Sequence, residues 1–169
     1  NDTLPVTGPP NFTLVWSSAE AEDTREVTWG DYDGDGDLDL AVGNGCQYSG
    51  PHTCYPSRLY RNDTPPATGP PSFTLVWSAV GTDNTKCIAW GDYDGDGDLD
   101  LAVGNGNQPN RVYRNDGGGT IPAFTPVWSS DEVASTGSVV WGDYDGDGDL
   151  DLAVGNGNQS KRLYRYDGG

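Results

Sequence analysis

A run of 17 residues, Trp29-Gly30-Asp31-Tyr32-Asp33-Gly34-Asp35-Gly36-Asp37-Leu38-Asp39-Leu40-Ala41-Val42-Gly43-Asn44-Gly45, recurs unchanged at Trp90–Gly106 and at Trp141–Gly157. Whatever local structure it adopts must therefore be built three times, and neighbouring copies must be able to pack on one another. Each copy sets five carboxylates at alternate positions with glycines among them. That many like charges so close repel unless something neutralises them. Hard oxygen donors on a tight glycine-rich turn suit a hard divalent cation, calcium above all.

The equivalence extends beyond this run. Phe12, Phe73 and Phe124 each stand four residues before Trp16, Trp77 and Trp128, and each of those tryptophans stands 13 before Trp29, Trp90 and Trp141. Each copy closes with a basic–aromatic segment, Arg58-Leu59-Tyr60-Arg61, Arg111-Val112-Tyr113-Arg114 or Arg162-Leu163-Tyr164-Arg165. Three repeats follow, 1–61, 62–114 and 115–169. Four short strands fit each one; in the first they are Phe12–Ser17, Glu26–Gly30, Leu38–Gly43 and Arg58–Arg61. They are rich in Val, Trp, Tyr and Leu and are separated by Gly, Pro, Asn and Asp. No window carries a helical period, and 25 glycines with 12 prolines argue against helices in general. Pro126 removes a ladder donor from the third copy of the first strand, which suits a sheet margin, so that strand is expected outermost.

The pattern Asp-x-Asp-x-Asp-Gly-x-x-Asp between short strands, followed by Leu-Ala-Val-Gly-Asn, resembles the FG-GAP/VCBS repeat. That repeat is the β-propeller blade of integrin α-subunit heads, some fungal lectins and many bacterial surface proteins. The resemblance implies an all-β propeller of three four-stranded blades, with the calcium loop joining the innermost strand to the second. Three blades do not close an ordinary ring. The opening Asn1-Asp2 matches Asn62-Asp63 and Asn115-Asp116, which follow the Tyr-Arg strand. Strand Phe12–Ser17 therefore lacks a preceding blade, and Arg162–Arg165 lacks an outer partner. We expect a homodimer that closes six blades, each N-terminal strand completing the other chain's last blade; excision from a longer array is the alternative.

By analogy with metal loops of this spacing, Asp31, Asp33 and Asp35 offer side-chain oxygens, Asp37 its backbone carbonyl and Asp39 its carboxylate. The same roles fall to Asp92, Asp94, Asp96, Asp98 and Asp100, and to Asp143, Asp145, Asp147, Asp149 and Asp151. Three Ca²⁺ per chain are expected, with Leu38 packed inward to tie the loop down. This is not an EF-hand: Val42, Val103 and Val154 occupy position 12, where a bidentate Glu is needed.

The connection from Gly43 to Arg58 is eight residues longer than its counterparts and holds Cys46 and Cys54. A disulfide between them would restore rigidity to the insertion; two free thiols are the alternative. Cys87 reads as a small buried side chain. His52 reads as a solvated loop residue. A disulfide and calcium loops together fit an extracellular, secreted or surface, location.

The net charge of −17, with no basic run, makes nucleic acid a poor partner, and no apolar stretch is long enough to span a membrane. No nucleophile or acid–base pair recurs, so the chain reads as non-enzymatic: a module for adhesion or ligand recognition. A lectin is the first alternative and a purely structural amplified scaffold the second. Identical metal loops at one end leave Cys46–Pro56, Asn107–Asn110 and Asn158–Ser160 at the other, where a glycan or protein ligand would bind.

Overall fold

The computed structural model describes residues 11–48, 52–65, 69–117 and 122–168. Asn1-Asp2 and part of the inserted loop lie outside them. Thirteen strands and no helix are found among the described residues. In the first unit, β1 (Thr24–Gly30), β2 (Asp39–Asn44), β5 (Arg58–Asn62) and β6 (Phe73–Ser78) pair antiparallel in that order. The inserted hairpin β3 (Cys46–Gln47) and β4 (Thr53–Cys54) stands apart as a two-stranded ribbon. In the second unit β7 (Thr85–Gly91), β8 (Asp100–Gln108), β9 (Arg111–Asn115) and β10 (Phe124–Ser129) repeat the order. The third has β11 (Ala134–Gly142), β12 (Asp151–Asn156) and β13 (Arg162–Tyr164).

The repeat is reproduced down to its irregularities. Each first strand carries a bulge at the same place, at Thr24/Glu26, Thr85/Cys87 and Thr136/Ser138. The β6 and β10 strands lie at the sheet margin, where Pro126 forfeits no ladder bond that a central strand would need. They pair with the Tyr-Arg strand of the repeat before their own, so sheet and sequence repeat are offset by one strand.

Two expectations change. Residues 11–18 form no strand, because no sheet edge among the described residues pairs with them. The third unit accordingly has three strands rather than four among the described residues. Units 2 and 3 are also joined into one seven-stranded sheet, through Ala134 opposite Gln108 and Ser135 opposite Gly106. The array is all-β and propeller-like rather than three separate four-stranded blades.

Units pack through glycines. A Cβ on Gly30 would stand 2.7 Å from the Trp90 ring, and one on Gly91 2.5 Å from Trp141, so only hydrogen leaves room for the next unit's indole. Ile88, Leu59, Leu101 and Phe124 belong to the core between units 1 and 2, and Val112, Val139, Leu152 and Val154 to that between units 2 and 3. The conserved register of the repeats also fixes a polar core. Thr24, Thr85 and Thr136 donate Oγ1–H to the Oδ1 of Asn44, Asn105 and Asn156 at 2.9, 3.2 and 2.9 Å. The Nδ2 of these asparagines donates in turn to the carbonyls of Pro56, Pro109 and Ser160. Each motif asparagine thereby pins the connection that follows it.

Candidate metal centres

Each acidic loop links the first strand of a unit to its second. Two glycines in each take a left-handed backbone: Gly34 and Gly36 at φ 71° and 93°, Gly95 and Gly97 at 73° and 97°, Gly146 and Gly148 at 78° and 99°. A side chain is strained there, which is why glycine stands between the carboxylates. The turn is further held from within. Asp31, Asp92 and Asp143 accept through Oδ2 from the backbone N–H of Gly36, Gly97 and Gly148 at 3.0–3.1 Å. Asp35, Asp96 and Asp147 accept from the N–H of Asp37, Asp98 and Asp149 at 2.9–3.0 Å.

The last carboxylate of each loop is its anchor. Asp39, Asp100 and Asp151 are buried. Their Oδ2 atoms accept from the N–H of Tyr32, Tyr93 and Tyr144, and their Oδ1 atoms from the N–H of Asn62, Asn115 and Tyr166, all at 2.8–3.2 Å. One side chain thus ties the loop's start to the end of the third strand. Burial pushes Asp39 and Asp100 up to about 6, even against two N–H donors each.

Carboxylates converge in all three loops: Asp31, Asp33 and Asp39; Asp92, Asp94 and Asp96; Asp143, Asp145 and Asp151, in each case with ligand-type oxygens within 4.8 Å of one another. Asp35, Asp100 and Asp147 do not join the close group of their own loop. Neither do the side chains of Asp37, Asp98 and Asp149, which leaves their carbonyls as the available donors. In loops 1 and 2 the Oδ1 atoms of Asp31, Asp33, Asp92 and Asp94 are buried without a hydrogen-bond donor. An acceptor in that condition costs about 1–3 kcal/mol, more when charged. Burial and then the adjacent carboxylates of Asp35 and Asp96 hold Asp33 and Asp94 above the usual carboxylate range. Paired, donor-starved hard oxygens on a preformed turn fit a divalent cation.

Leu38 departs from its expected packing: it is exposed. Its counterpart Leu150 lines the cleft that Trp128 of the second unit also lines, whereas no described residue gives Leu38 the same cover. Cys46 and Cys54 are joined by a disulfide across the inserted hairpin, and Cys87 is free and buried. The bridge removes both sulfurs as thiolate ligands, so His52 beside them has no metal-binding partners there. His52 instead packs against Tyr48, with ring centroids 5.0 Å apart.

The opposite end of the array gathers the connections that vary. A groove is lined by Glu22, Asp23, Arg25, Gln47 and Tyr48, and another by Glu132, Asn156, Gln159, Ser160 and Arg162. An ion pair braces it in each repeat: Arg58 with Glu22, Arg111 with Asp83 at 2.6 Å, and, through an acid two positions earlier in the repeat, Arg162 with Glu132 at 4.0 Å. Tyr60 donates to Glu20 at 2.8 Å, and Tyr164 to Glu132. The sequence reading assigned none of these acids a role, although the recurrent Arg-x-Tyr in each repeat was a signal that partners of opposite charge recur as well.

No helix among the described residues is long and apolar enough to cross a membrane. Comparison with known proteins gives residues 92–154 as an FG-GAP-like repeat and residues 24–50 as an FG-GAP repeat, each match containing at least one complete acidic loop. No curated protein matches the chain. With the same loop and first-strand bulge built three times, and those matches together spanning more than half its length, the chain is an FG-GAP repeat protein.

Proposed function

We propose that this chain is a calcium-stabilised, non-enzymatic β-propeller module of a secreted or cell-surface protein, serving adhesion or ligand recognition. The observation that carries the reading is the set of buried, donor-starved Oδ1 atoms on Asp31, Asp33, Asp92 and Asp94. Asp31, Asp33 and Asp39 would hold the first ion, Asp92, Asp94 and Asp96 the second, Asp143, Asp145 and Asp151 the third. Bound calcium would supply counter-charge and oxygen cross-linking. The chain's own contribution is the glycine turn and the backbone N–H clamps that hold the carboxylates together. Mg²⁺ fits less well, because it keeps its waters and demands near-octahedral geometry. The metal loops carry no His, and their threefold identity suits a scaffold.

The disulfide supports an oxidising compartment. Three propeller-like units leave an open arc, and two chains would complete six. The recognition face is the end opposite the metal loops, where the connections differ between repeats. A lectin reading draws on the aromatic cleft between units 2 and 3, and a bare scaffold with no ligand is the remaining alternative. Equilibrium dialysis of the metal-depleted chain against Ca²⁺ tests the core of the proposal, with three ions per chain expected and none contradicting it. A glycan array then separates lectin from scaffold.

A further inference from the structure

Between units 1 and 2, the ring of Phe124 fills an aromatic socket: its centroid lies 5.2 Å from Trp77, 6.0 Å from Trp90 and 6.2 Å from Tyr32. Phe73 makes the matching contacts one repeat earlier, 5.0 Å from Trp16 and 6.0 Å from Trp29. Between units 2 and 3 the equivalent walls are Tyr93, Trp128 and Trp141. There no phenylalanine enters, and a cleft of about 220 Å³ remains, completed by Leu150, Tyr164 and Tyr166. Phenylalanine occurs three times in this chain. Phe124 is 9% exposed, whereas Phe12 is 91% exposed.

We infer that the cleft is the seat of Phe12 from a second copy of this chain, whose segment Asn11–Ser17 pairs with Arg162–Tyr166 as the missing fourth strand of unit 3. This rests on the six-unit closure proposed above and identifies the contact that makes it. The register follows from the two pairings inside the chain. Phe73 stands opposite Asn62 and Phe124 opposite Asn115; Trp77 stands opposite Leu59 and Trp128 opposite Val112. Phe12 then falls opposite Tyr166, Thr13 opposite Arg165, Leu14 opposite Tyr164 and Trp16 opposite Leu163. Trp16 already has the orientation this requires. It meets Tyr60 edge-on at 5.5 Å, as Trp77 meets Tyr113 at 5.3 Å and Trp128 meets Tyr164 at 4.9 Å. Segment 11–18 is thus seated against unit 1 where the outer strand of a preceding unit would lie, and among the described residues no strand pairs with it.

The remaining surfaces of the two ends complement each other in the same register. Leu59 is 1% exposed beneath β6, while Leu163 is 50% exposed with no strand beyond it among the described residues. Tyr32 is 2% exposed beneath unit 2, while Tyr144 is 56% exposed. Gly30 and Gly91 each receive an indole from the following unit, but a Cβ on Gly142 would meet nothing within 4 Å. The indole that corresponds, Trp29, is more than half exposed at the other end of the chain. The contact is head-to-tail, and two copies related by a twofold axis satisfy it twice and leave no open end.

Three variants in calcium test the occupant by light scattering coupled to size exclusion. The unaltered chain should run at about twice 18.0 kDa, and Phe12→Ala and Gly142→Ala should each run as folded monomers with unchanged far-UV dichroism. Thr13→Cys combined with Arg165→Cys should form a covalent dimer on oxidation. A monomeric unaltered chain overturns both the closure and the occupant. A dimer that survives Phe12→Ala, or a double-cysteine chain that cross-links only within itself, overturns the occupant and leaves closure standing.

Discussion

Replacing Gly91 by Ala isolates the packing of one unit on the next. The added Cβ would lie 2.5 Å from Cδ1 of Trp141, 2.8 Å from Cγ and 2.9 Å from Nε1. The indole has little room to retreat, since it stacks on Tyr93 at 5.9 Å and donates Nε1–H to the carbonyl of Ala89 at 3.3 Å. Overpacking of this kind costs about 1–3 kcal/mol. In a chain of this size each kcal/mol moves the melting temperature by roughly 2–4 °C, so a fall of about 2–12 °C is expected. Gly137→Ala is the control: its Cβ would meet only the carbonyl of Gly155, at an ordinary 3.8 Å, and melting should be unchanged or slightly raised. Differential scanning calorimetry of both variants in saturating calcium decides the matter. Equal melting of Gly91→Ala and the unaltered chain would refute the reasoning, as would an equal loss in the control.

Burial pushes the Cys87 thiol up to about 12; thiol titration should therefore find no reactive group in the native chain and one in denaturant, with three in denaturant counting against the Cys46–Cys54 bridge. Burial, then the hydrogen bond to Glu20, pushes Tyr60 up to about 12 as well. Its folded value lies above the unfolded value of about 10, so its contribution is complete below pH 10 and is lost as pH rises toward 12. Absorbance at 295 nm should show late-titrating phenols, with one fewer in Tyr60→Phe; uniform titration near 10 would contradict this. The Arg58–Glu22 pair is largely buried and doubly hydrogen-bonded, so Glu22→Ala should cost about 1.5–3 kcal/mol in denaturant unfolding. Arg162, half exposed and 4.0 Å from Glu132, should cost less than about 1 kcal/mol when made Ala; equal losses would show that burial does not govern these pairs.

Repeat length, the three strands that follow the loop-flanking Trp spacing in each unit and the marginal place of the Pro126 strand were legible from residues that recur at fixed spacing. The absence of a strand at 11–18 and the β3–β4 hairpin were not. The convergence of Asp31 with Asp33 was legible from alternation on a glycine turn. Which further carboxylate joins them was not: Asp39 and Asp96 take that place in different loops of identical sequence. Leu38 was misread for a related reason. Its burial depends on contacts from a neighbouring unit, which local pattern does not reveal. The roles of Asn44, Asn105 and Asn156 were missed because a polar side chain in a glycine-flanked strand end gives no sign of the carbonyl it will bind across a connection.

Calcium stabilisation of the fold is read from thermal melting of the metal-depleted chain. An ion that binds only the folded state adds roughly 2.7 kcal/mol per site at a hundredfold excess over Kd. Melting temperature should drop clearly in chelator, recover fully with Ca²⁺ and recover much less with Mg²⁺. A metal-depleted chain that melts at the same temperature with and without Ca²⁺ would contradict calcium stabilisation.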